Sequence, residues 1–340
     1  MRPAPPRIRA AILATAVCLF GGCGRMAGPA AGMQAGTSVP VSSSRGSLIG
    51  RLRLVDPLPC YELIYEAPYR IADLTQPVAR IPAGGSLGEA SCTCFSAPLP
   101  GGRHVFGRNF DWDPNPALVL LTRPRDGYAS VSLVDISYLG FPGSRSPLDA
   151  PDGLAEAWRI PFDGMNEKGF SVGMMAVDHA EGPQGTGRPR VGELGIMRIL
   201  LDRAARVEEA IQLMSAHEVA LDTPPLHYFL ADRTGDAAVV EFVGGRLRVI
   251  RSGTPWMVST NFLLAEVPPP ARDRACWRYA AASARLREGK GLPGAQGAMD
   301  LLETVSVPRT RWSAVYELDP GRLTLALGRR YGRTFRWALR

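Results

Sequence analysis

The spacing of apolar positions changes several times along the chain and divides it into strand and helix blocks. Residues 91–112 predict two strands joined by a Pro/Gly turn at Pro98, Pro100, Gly101 and Gly102. Apolar runs at 117–122 and 128–136 flank the turn residues Arg125, Asp126 and Gly127. A further pair, 159–162 and 170–177, flanks a turn at Asn166, Glu167, Lys168 and Gly169. The period then becomes helical. Ile196, Met197, Leu200 and Leu201, followed by Val207, Ala210, Ile211 and Met214, predict two helices with a break near Arg206. Strand patterns return at 227–231, 237–242, 247–250 and 256–259. Helical patterns follow at 275–287 and 295–305, and strands close the chain at 313–318, 323–327 and 334–339.

Strand runs interrupted by helix pairs, without regular βαβ alternation, predict an α+β fold and exclude a doubly wound sheet. No internal repeat is present. With 340 residues and 46% hydrophobic content the chain can bury a large core.

The amino-terminal residues carry a different pattern. Arg2, Arg7 and Arg9 precede an apolar run at 10–20 that is too short to span a bilayer. Residues 1–23 therefore predict a secretory leader. It ends on Phe20, Gly21, Gly22 and Cys23, a run that resembles a lipobox and makes Cys23 a candidate lipidation site. These features place the protein outside the cytoplasm, lipid-anchored to a bacterial cell envelope or else secreted or periplasmic. A membrane would be met only through that anchor. Residues 24–47, rich in Gly, Ala, Ser and Pro, predict a flexible tether. Residues 48–91 form an upstream segment or propeptide, apolar and ordered over 48–69. Over 76–91 this segment is rich in Pro and Gly, exposed and open to processing, and after processing it could remain as a small chain. Residues 92–340 are the predicted catalytic domain.

The net charge of +7 falls to +4 without the three leader arginines, and only Lys168 and Lys290 of 39 basic residues are lysines. Nearly all of the excess is arginine, as a GC-rich coding sequence gives. No basic run is interleaved with aromatics, which argues against nucleic-acid binding. Cys18 and Cys23 belong to the leader. The remaining Cys60, Cys92, Cys94 and Cys276 are too scattered to form a disulfide framework, although a Cys60–Cys276 bridge stays open. The four histidines at 104, 179, 217 and 227 have no paired metal-ligand spacing. No cofactor is implied.

Chemistry concentrates in the first hairpin. Its first strand opens on Cys92, Thr93 and Cys94, and its second carries Gly107, Arg108, Asn109, Phe110 and Asp111. A thiol, a guanidinium and a carboxylate held by one hairpin are the parts of an activated nucleophile. A free thiol is only partly ionised at neutral pH and needs a base or a positive neighbour, yet no histidine lies in the motif apart from His104 in the turn. Arg108 and Asp111 are three apart and fall on opposite faces of a regular strand. Bringing both to Cys92 requires a bulge, for which Gly107 is the expected place.

The Cys-Thr pair followed by Gly-Arg-Asn-x-Asp resembles the start of the mature catalytic chain in N-terminal-nucleophile linear amide hydrolases. That group includes choloylglycine hydrolase, acid ceramidase, N-acylethanolamine acid amidase and isopenicillin-N acyltransferase. The resemblance implies an αββα sandwich of four layers with two antiparallel sheets, and self-cleavage before Cys92. The freed α-amino group would take the thiol proton, with Asp111 orienting the amine and Arg108 favouring the thiolate. The run from Asp163 to Phe170 resembles the family's Asn-Glu-x-Gly turn, and Ser259, Thr260, Asn261 and Phe262 resemble its Thr-Asn segment. By resemblance, Asn166 and Asn261 contribute to an oxyanion hole, the first through backbone N–H and the second through its side-chain amide. As isolated residues both suit ordinary turns. Arg278 resembles a further family arginine, with Arg274 as a competitor. Thr310, Trp312, Ser313, Val315 and Tyr316 match a late family strand. The implied substrate is a small N-acyl amide, cleaved through a thioester acyl-enzyme, with acyl transfer of the isopenicillin-N type as the alternative.

Two other functions compete. Gly169, Phe170, Ser171, Val172 and Gly173 satisfy Gly-x-Ser-x-Gly, the nucleophile elbow of α/β-hydrolase serine esterases. That elbow must lead from strand to helix, whereas residues 174–178 continue a strand pattern. A non-enzymatic envelope lipoprotein, with the hairpin purely structural, is the third reading.

Overall fold

The computed structural model describes residues 38–44, 46–75, 91–113, 115–221 and 225–339. The predicted leader, Cys23, most of the predicted tether and the Pro/Gly stretch at 76–90 lie outside the described residues.

The chain begins with three antiparallel strands, β1 (Ser38–Ser42), β2 (Leu48–Asp56) and β3 (Cys60–Tyr65). Residues 38–42 are thus sheet, where the composition predicted tether. Val41 pairs with Gly50 and is fully buried, and Val39, partly buried, packs against the same core, so two valines dock the strand. The central hairpin follows as β4 (Thr93–Pro98) and β5 (His104–Asp111). Its turn uses Gly101 and Gly102, both at positive φ near 70–80°, where other residues are strained.

Next come β6 (Ala117–Thr122), β7 (Ser130–Asp135), β8 (Asp163–Asn166) and β9 (Phe170–Ala176). The strand predicted at 159–162 starts at Asp163 instead. Pro161 has no N–H to give a ladder, and residues 157–159 wind into a 3₁₀ turn. A short strand, β10 (Arg190–Gly192), precedes helices α1 (Glu193–Arg203) and α2 (Val207–Ser215), which break at 204–206 as predicted. Asn166 contributes to that break: its amide donates to the carbonyls of Leu201 (2.9 Å) and Ala204 (2.7 Å), which the helix end leaves free.

Strand β11 (Glu218–Ala220) pairs in parallel with β10. Strands β12 (Leu226–Asp232), β13 (Ala237–Val243) and β14 (Arg246–Arg251) form a meander, and β15 (Met257–Ser259) follows. The helix predicted at 275–287 is two: α3 (Arg272–Ala275) and α4 (Trp277–Gly289), separated by Cys276 in extended conformation. Helix α5 (Ala295–Thr304) and strands β16 (Thr310–Glu317), β17 (Arg322–Leu327) and β18 (Thr334–Ala338) complete the order.

Among the described residues ten strands form the larger sheet in the order β1-β2-β3-β6-β7-β8-β9-β12-β13-β14, and six form the smaller, β15-β4-β5-β16-β17-β18. Every neighbouring pair in both is antiparallel except β3 and β6. Helices α1 and α2 pack on the larger sheet and α4 and α5 on the smaller, giving α+β architecture with the sheets back to back. The strands of the hairpin and of β6, β7 and β9 are therefore buried along nearly their whole length, and β6 and β9 are mostly apolar in sequence.

The upstream strands are built into this sandwich. The buried carboxylate of Asp56 holds Arg330 (2.5 Å) and Arg333 (3.2 Å), and Trp337 donates to Glu62 at 2.5 Å. Tyr69 stacks on Trp158 with centroids 4.3 Å apart and donates to Asp202. Cys60, Cys92, Cys94 and Cys276 carry free thiols, so no Cys60–Cys276 bridge is present.

Candidate active site

Hairpin register sets the chemistry. Cys94 lies opposite Arg108 and Thr93 opposite Asn109, so Cys92 sits one step before the β4 ladder, beside the Asp111 end of β5. Arg108 points between the sheets and is completely buried. Its Nε donates to Asp163 Oδ2 at 2.8 Å, Nη1 faces Cys94 Sγ at 3.4 Å, and Nη2 faces Cys92 Sγ at 3.9 Å. Asp163, on β8 of the opposite sheet, also accepts from Trp312 Nε1 at 2.9 Å and from the Tyr316 hydroxyl. Burial raises the Asp163 carboxyl, opposed first by the charge of Arg108 and then by the three hydrogen bonds, and Asp163 in turn fixes the guanidinium against both thiols.

Burial pushes the Cys92 thiol up, and Arg108 is the largest influence pulling it back down. The peptide N–H of Asp111 also favours the thiolate, whereas the Asp111 carboxylate opposes it. Cys94 is pushed up to about 12 by burial despite its closer approach to Arg108. Burial would lower Arg108, but the two thiols and Asp163 more than offset it and keep the guanidinium charged.

Asp111 lies at the other end of the parity problem. The irregularity beside it lies on β16, where Arg311 is the extra residue between Thr310, opposite Asp111, and Trp312, opposite Phe110. Gly107 is not the bulge: β5 runs through it in register, and a Cβ there would come within 2.3 Å of the Phe95 ring. Asp111 Oδ1 accepts from Thr310 Oγ1 at 2.6 Å, while Oδ2 is buried without a partner. Burial lifts this carboxyl to about 7, against the hydrogen bond from Thr310 and the charge of Arg278.

A group raised in this way stabilises the fold most when protonated. That contribution is present below pH 4, declines as the pH rises towards 7, and is gone above it. In a Cys92→Ala background, where thiol chemistry does not intervene, adding Asp111→Asn should therefore raise the melting temperature relative to its parent at pH 8. At pH 4 the two should melt together. Parallel melting curves across this range would show that the carboxyl is not held up by its surroundings.

Arg278, on the first turn of α4, donates through Nη1 to the Cys92 carbonyl and, at 3.0 Å, to Thr93 Oγ1. Its Nη2 donates to Asn261 Oδ1 at 3.1 Å, and Asn261 Nδ2 donates to the Ala176 carbonyl at 2.7 Å. The structure thus gathers Cys92, Arg108, Asp111, Arg278 and Asn261, and it places Arg278, not Arg274, against Cys92. Asn166 is not in this group. It lies three residues beyond Asp163 on β8, roughly 10 Å along the strand, and all its side-chain capacity is used elsewhere. Its Oδ1 accepts from the N–H groups of Lys168 and Phe170, closing the β8–β9 turn, while Nδ2 ties the end of α1. Turn chemistry, the simpler reading of this asparagine, is what the structure contains.

Asp163, Thr93 and the Ala176 carbonyl were not foreseen. Asp163 carried a signal: an acidic residue directly after the apolar Ile160–Phe162 stretch needs a buried partner. Ser171 lies inside β9, paired to Met165 on one side and Ala231 on the other, and no helix follows the strand. The strand-to-helix elbow of a serine esterase is absent.

The sequence of residues 92–261, half of the chain and opening on Cys92, matches the linear amide C–N hydrolases, choloylglycine hydrolase family. The chain belongs to this family. A penicillin V acylase from Pectobacterium atrosepticum is 26% identical over 196 residues, covering 52% of this chain and 50% of that protein. The chain thus spans about half the length of the curated relative it matches. Two crystal structures of conjugated bile acid hydrolase variants from Clostridium perfringens share the fold. Their TM-scores are 0.53 and 0.52 at 15% and 14% identity, each match covering 73% of this chain and 92% of the other. The choloylglycine hydrolase family is thereby joined to an N-terminal-nucleophile sandwich, the architecture that the hairpin motif implied.

Proposed function

We propose that this protein is a cysteine N-terminal-nucleophile amidase that cleaves small N-acyl amides. The observation that carries the proposal is the Arg108 guanidinium, locked by Asp163 and facing the thiol of the residue on which the family match opens. Maturation is cleavage of the Ser91–Cys92 bond. Cys92 Sγ attacks the Ser91 carbonyl carbon, its proton passing to the unpartnered oxygen of Asp111, which burial holds near 7. The Cys92 nitrogen takes that proton back from Asp111 as the C–N bond breaks and leaves as an amine, and water hydrolyses the resulting thioester.

In the mature chain that α-amine, with a pKa of about 8, replaces the missing histidine. It takes the thiol proton as Sγ attacks the substrate carbonyl and returns it to the departing amine. A thioester acyl-enzyme remains, and water releases the acid. The Asn261 amide has a second N–H beyond the one given to Ala176, and this is the donor for the oxyanion. The relatives' names, penicillin V acylase and bile acid hydrolase, support a bulky apolar acyl group joined to a polar amine. Lipid anchoring through Cys23, on the outer side of the cytoplasmic membrane, completes the proposal.

Intact-mass measurement tests maturation. Denatured active enzyme should separate into two chains, the larger beginning at Cys92. Under native conditions the two should co-elute, because β1–β3 pair with β6 and Asp56 and Glu62 bind the carboxy-terminal strands. A fully active single chain would sink the free-amine mechanism.

A further inference from the structure

One fully buried ion pair has no part in the chemistry above. His227 on β12 and Glu241 on β13 face each other one step beyond the Tyr228–Val240 pair, both with 0% side-chain exposure. They lie on the face of Phe229, whose ring stacks on Phe106 of the smaller sheet, so the pair sits between the sheets.

The hydrogen bonds fix its protonation. His227 Nε2 lies 2.8 Å from the Thr260 carbonyl oxygen, which can only accept, so Nε2 carries a proton. His227 Nδ1 lies 3.0 Å from Glu241 Oε1. Glu241 also accepts the N–H of Leu264 at 2.7 Å and of Ala265 at 2.9 Å. The ring is thus held between the Thr260 carbonyl and Glu241, and His227 Nδ1 and two backbone N–H groups converge on the two Glu241 oxygens.

All three backbone groups held in this way belong to residues 260–265, which carry Asn261. A buried ion pair is a poor source of stability, because its desolvation cost rivals its attraction. What this pair supplies is direction: one donor and two acceptor oxygens at fixed points, reaching from the larger sheet to a loop at the end of β15.

We infer that the His227–Glu241 pair is the positioning element for Asn261, setting its amide toward Cys92 by holding the Thr260 carbonyl and the Leu264 and Ala265 amides. The pair touches neither thiol nor substrate. Its effect on turnover rests on the amidase reading of Asn261, but its hold on the loop does not, and the test separates the two.

Two measurements are made on His227→Leu, His227→Gln, Glu241→Gln, Asn261→Ala and the His227→Leu/Asn261→Ala double variant. The first is amide exchange over 260–265. It should accelerate in His227→Leu and Glu241→Gln and stay at the wild-type rate in Asn261→Ala. Unchanged exchange in Glu241→Gln, the variant least disruptive to folding, overturns the inference whatever the activities are.

The second is turnover on an N-acyl amide. His227→Leu should lower kcat by about 10–10²-fold with KM nearly constant, the scale of a small misplacement of a catalytic group. His227→Gln, whose amide N–H can meet the Thr260 carbonyl, should recover part of that loss. The double variant should be no slower than Asn261→Ala alone, whereas additive losses would show that His227 does not act through Asn261. A wild-type enzyme inactive on every N-acyl amide removes the amidase reading and leaves the exchange result to decide the loop's anchor.

Discussion

Cys92→Ala should abolish cleavage of N-acyl amides, lowering turnover by about 10⁴-fold or more, and should leave the chain in one piece. The expected loss is large because the proposed mechanism makes two steps depend on one sulfur, attack on the substrate and attack on the Ser91 carbonyl. Folding should survive. The change removes one atom from a site whose neighbours, Arg108 and Arg278, retain Asp163 and Asn261 as partners, at a cost comparable to a small core truncation of about 1 kcal/mol. Ser171→Ala is the contrast. Its hydroxyl is buried in β9 without a partner, so deleting it should leave both activity and stability close to those of the parent. Cys94→Ala separates the two thiols on Arg108: activity and iodoacetamide inactivation should persist, since burial holds the Cys94 thiol near 12 and largely un-ionised. Activity lost in Ser171→Ala but kept in Cys92→Ala would transfer the nucleophile to the serine.

Much of this site was legible because its parts are close in sequence. Cys92, Arg108 and Asp111 lie on one hairpin, and a hairpin's register follows from its turn. The helix pair at 193–215 was legible for a similar reason, since the 3.6-residue spacing of Ile196, Met197, Leu200 and Leu201 is a local property. What was illegible depends on pairing with distant strands. The bulge beside Asp111 lies at Arg311, on a strand two hundred residues later, and not at Gly107. Asp163 becomes the partner of Arg108 only when β8 and β5 face each other across the sandwich. Asn166 illustrates the opposite error. It sits in a motif that resembles the family's, yet β8 carries it away from Cys92 to the end of α1.

The upstream strands show how composition misleads over short stretches. Ser38–Ser42 is as rich in small polar residues as the sequence before it, yet it completes the edge of a ten-stranded sheet. Sheet pairing rewards backbone N–H and C=O groups, which polar residues supply as well as apolar ones, and Val39 and Val41 alone give the strand an apolar face.

The second large effect concerns Asp163, which opens a family-like run that gives it no role of its own. Asp163→Ala should cost about 3–5 kcal/mol, because it leaves the fully buried Arg108 charge without its carboxylate. It also strands the Trp312 N–H and the Tyr316 hydroxyl. Against a typical total of about 5–15 kcal/mol for a folded domain, this is a large share. A fall in melting temperature of about 10 °C is expected. Stability and catalysis can be separated by removing the whole pair. Arg108→Met with Asp163→Leu replaces two buried charges by apolar groups of similar size, which is commonly neutral or stabilising where removal of one partner is not. The double variant should therefore melt well above either single one. It should nonetheless remain nearly inactive, because burial still raises the Cys92 thiol and the guanidinium that opposed it is gone. Thermal melts and turnover on the three variants decide the matter. If the double variant regains activity along with stability, Arg108 serves the fold alone and the thiolate must be favoured by Arg278 and the Asp111 N–H.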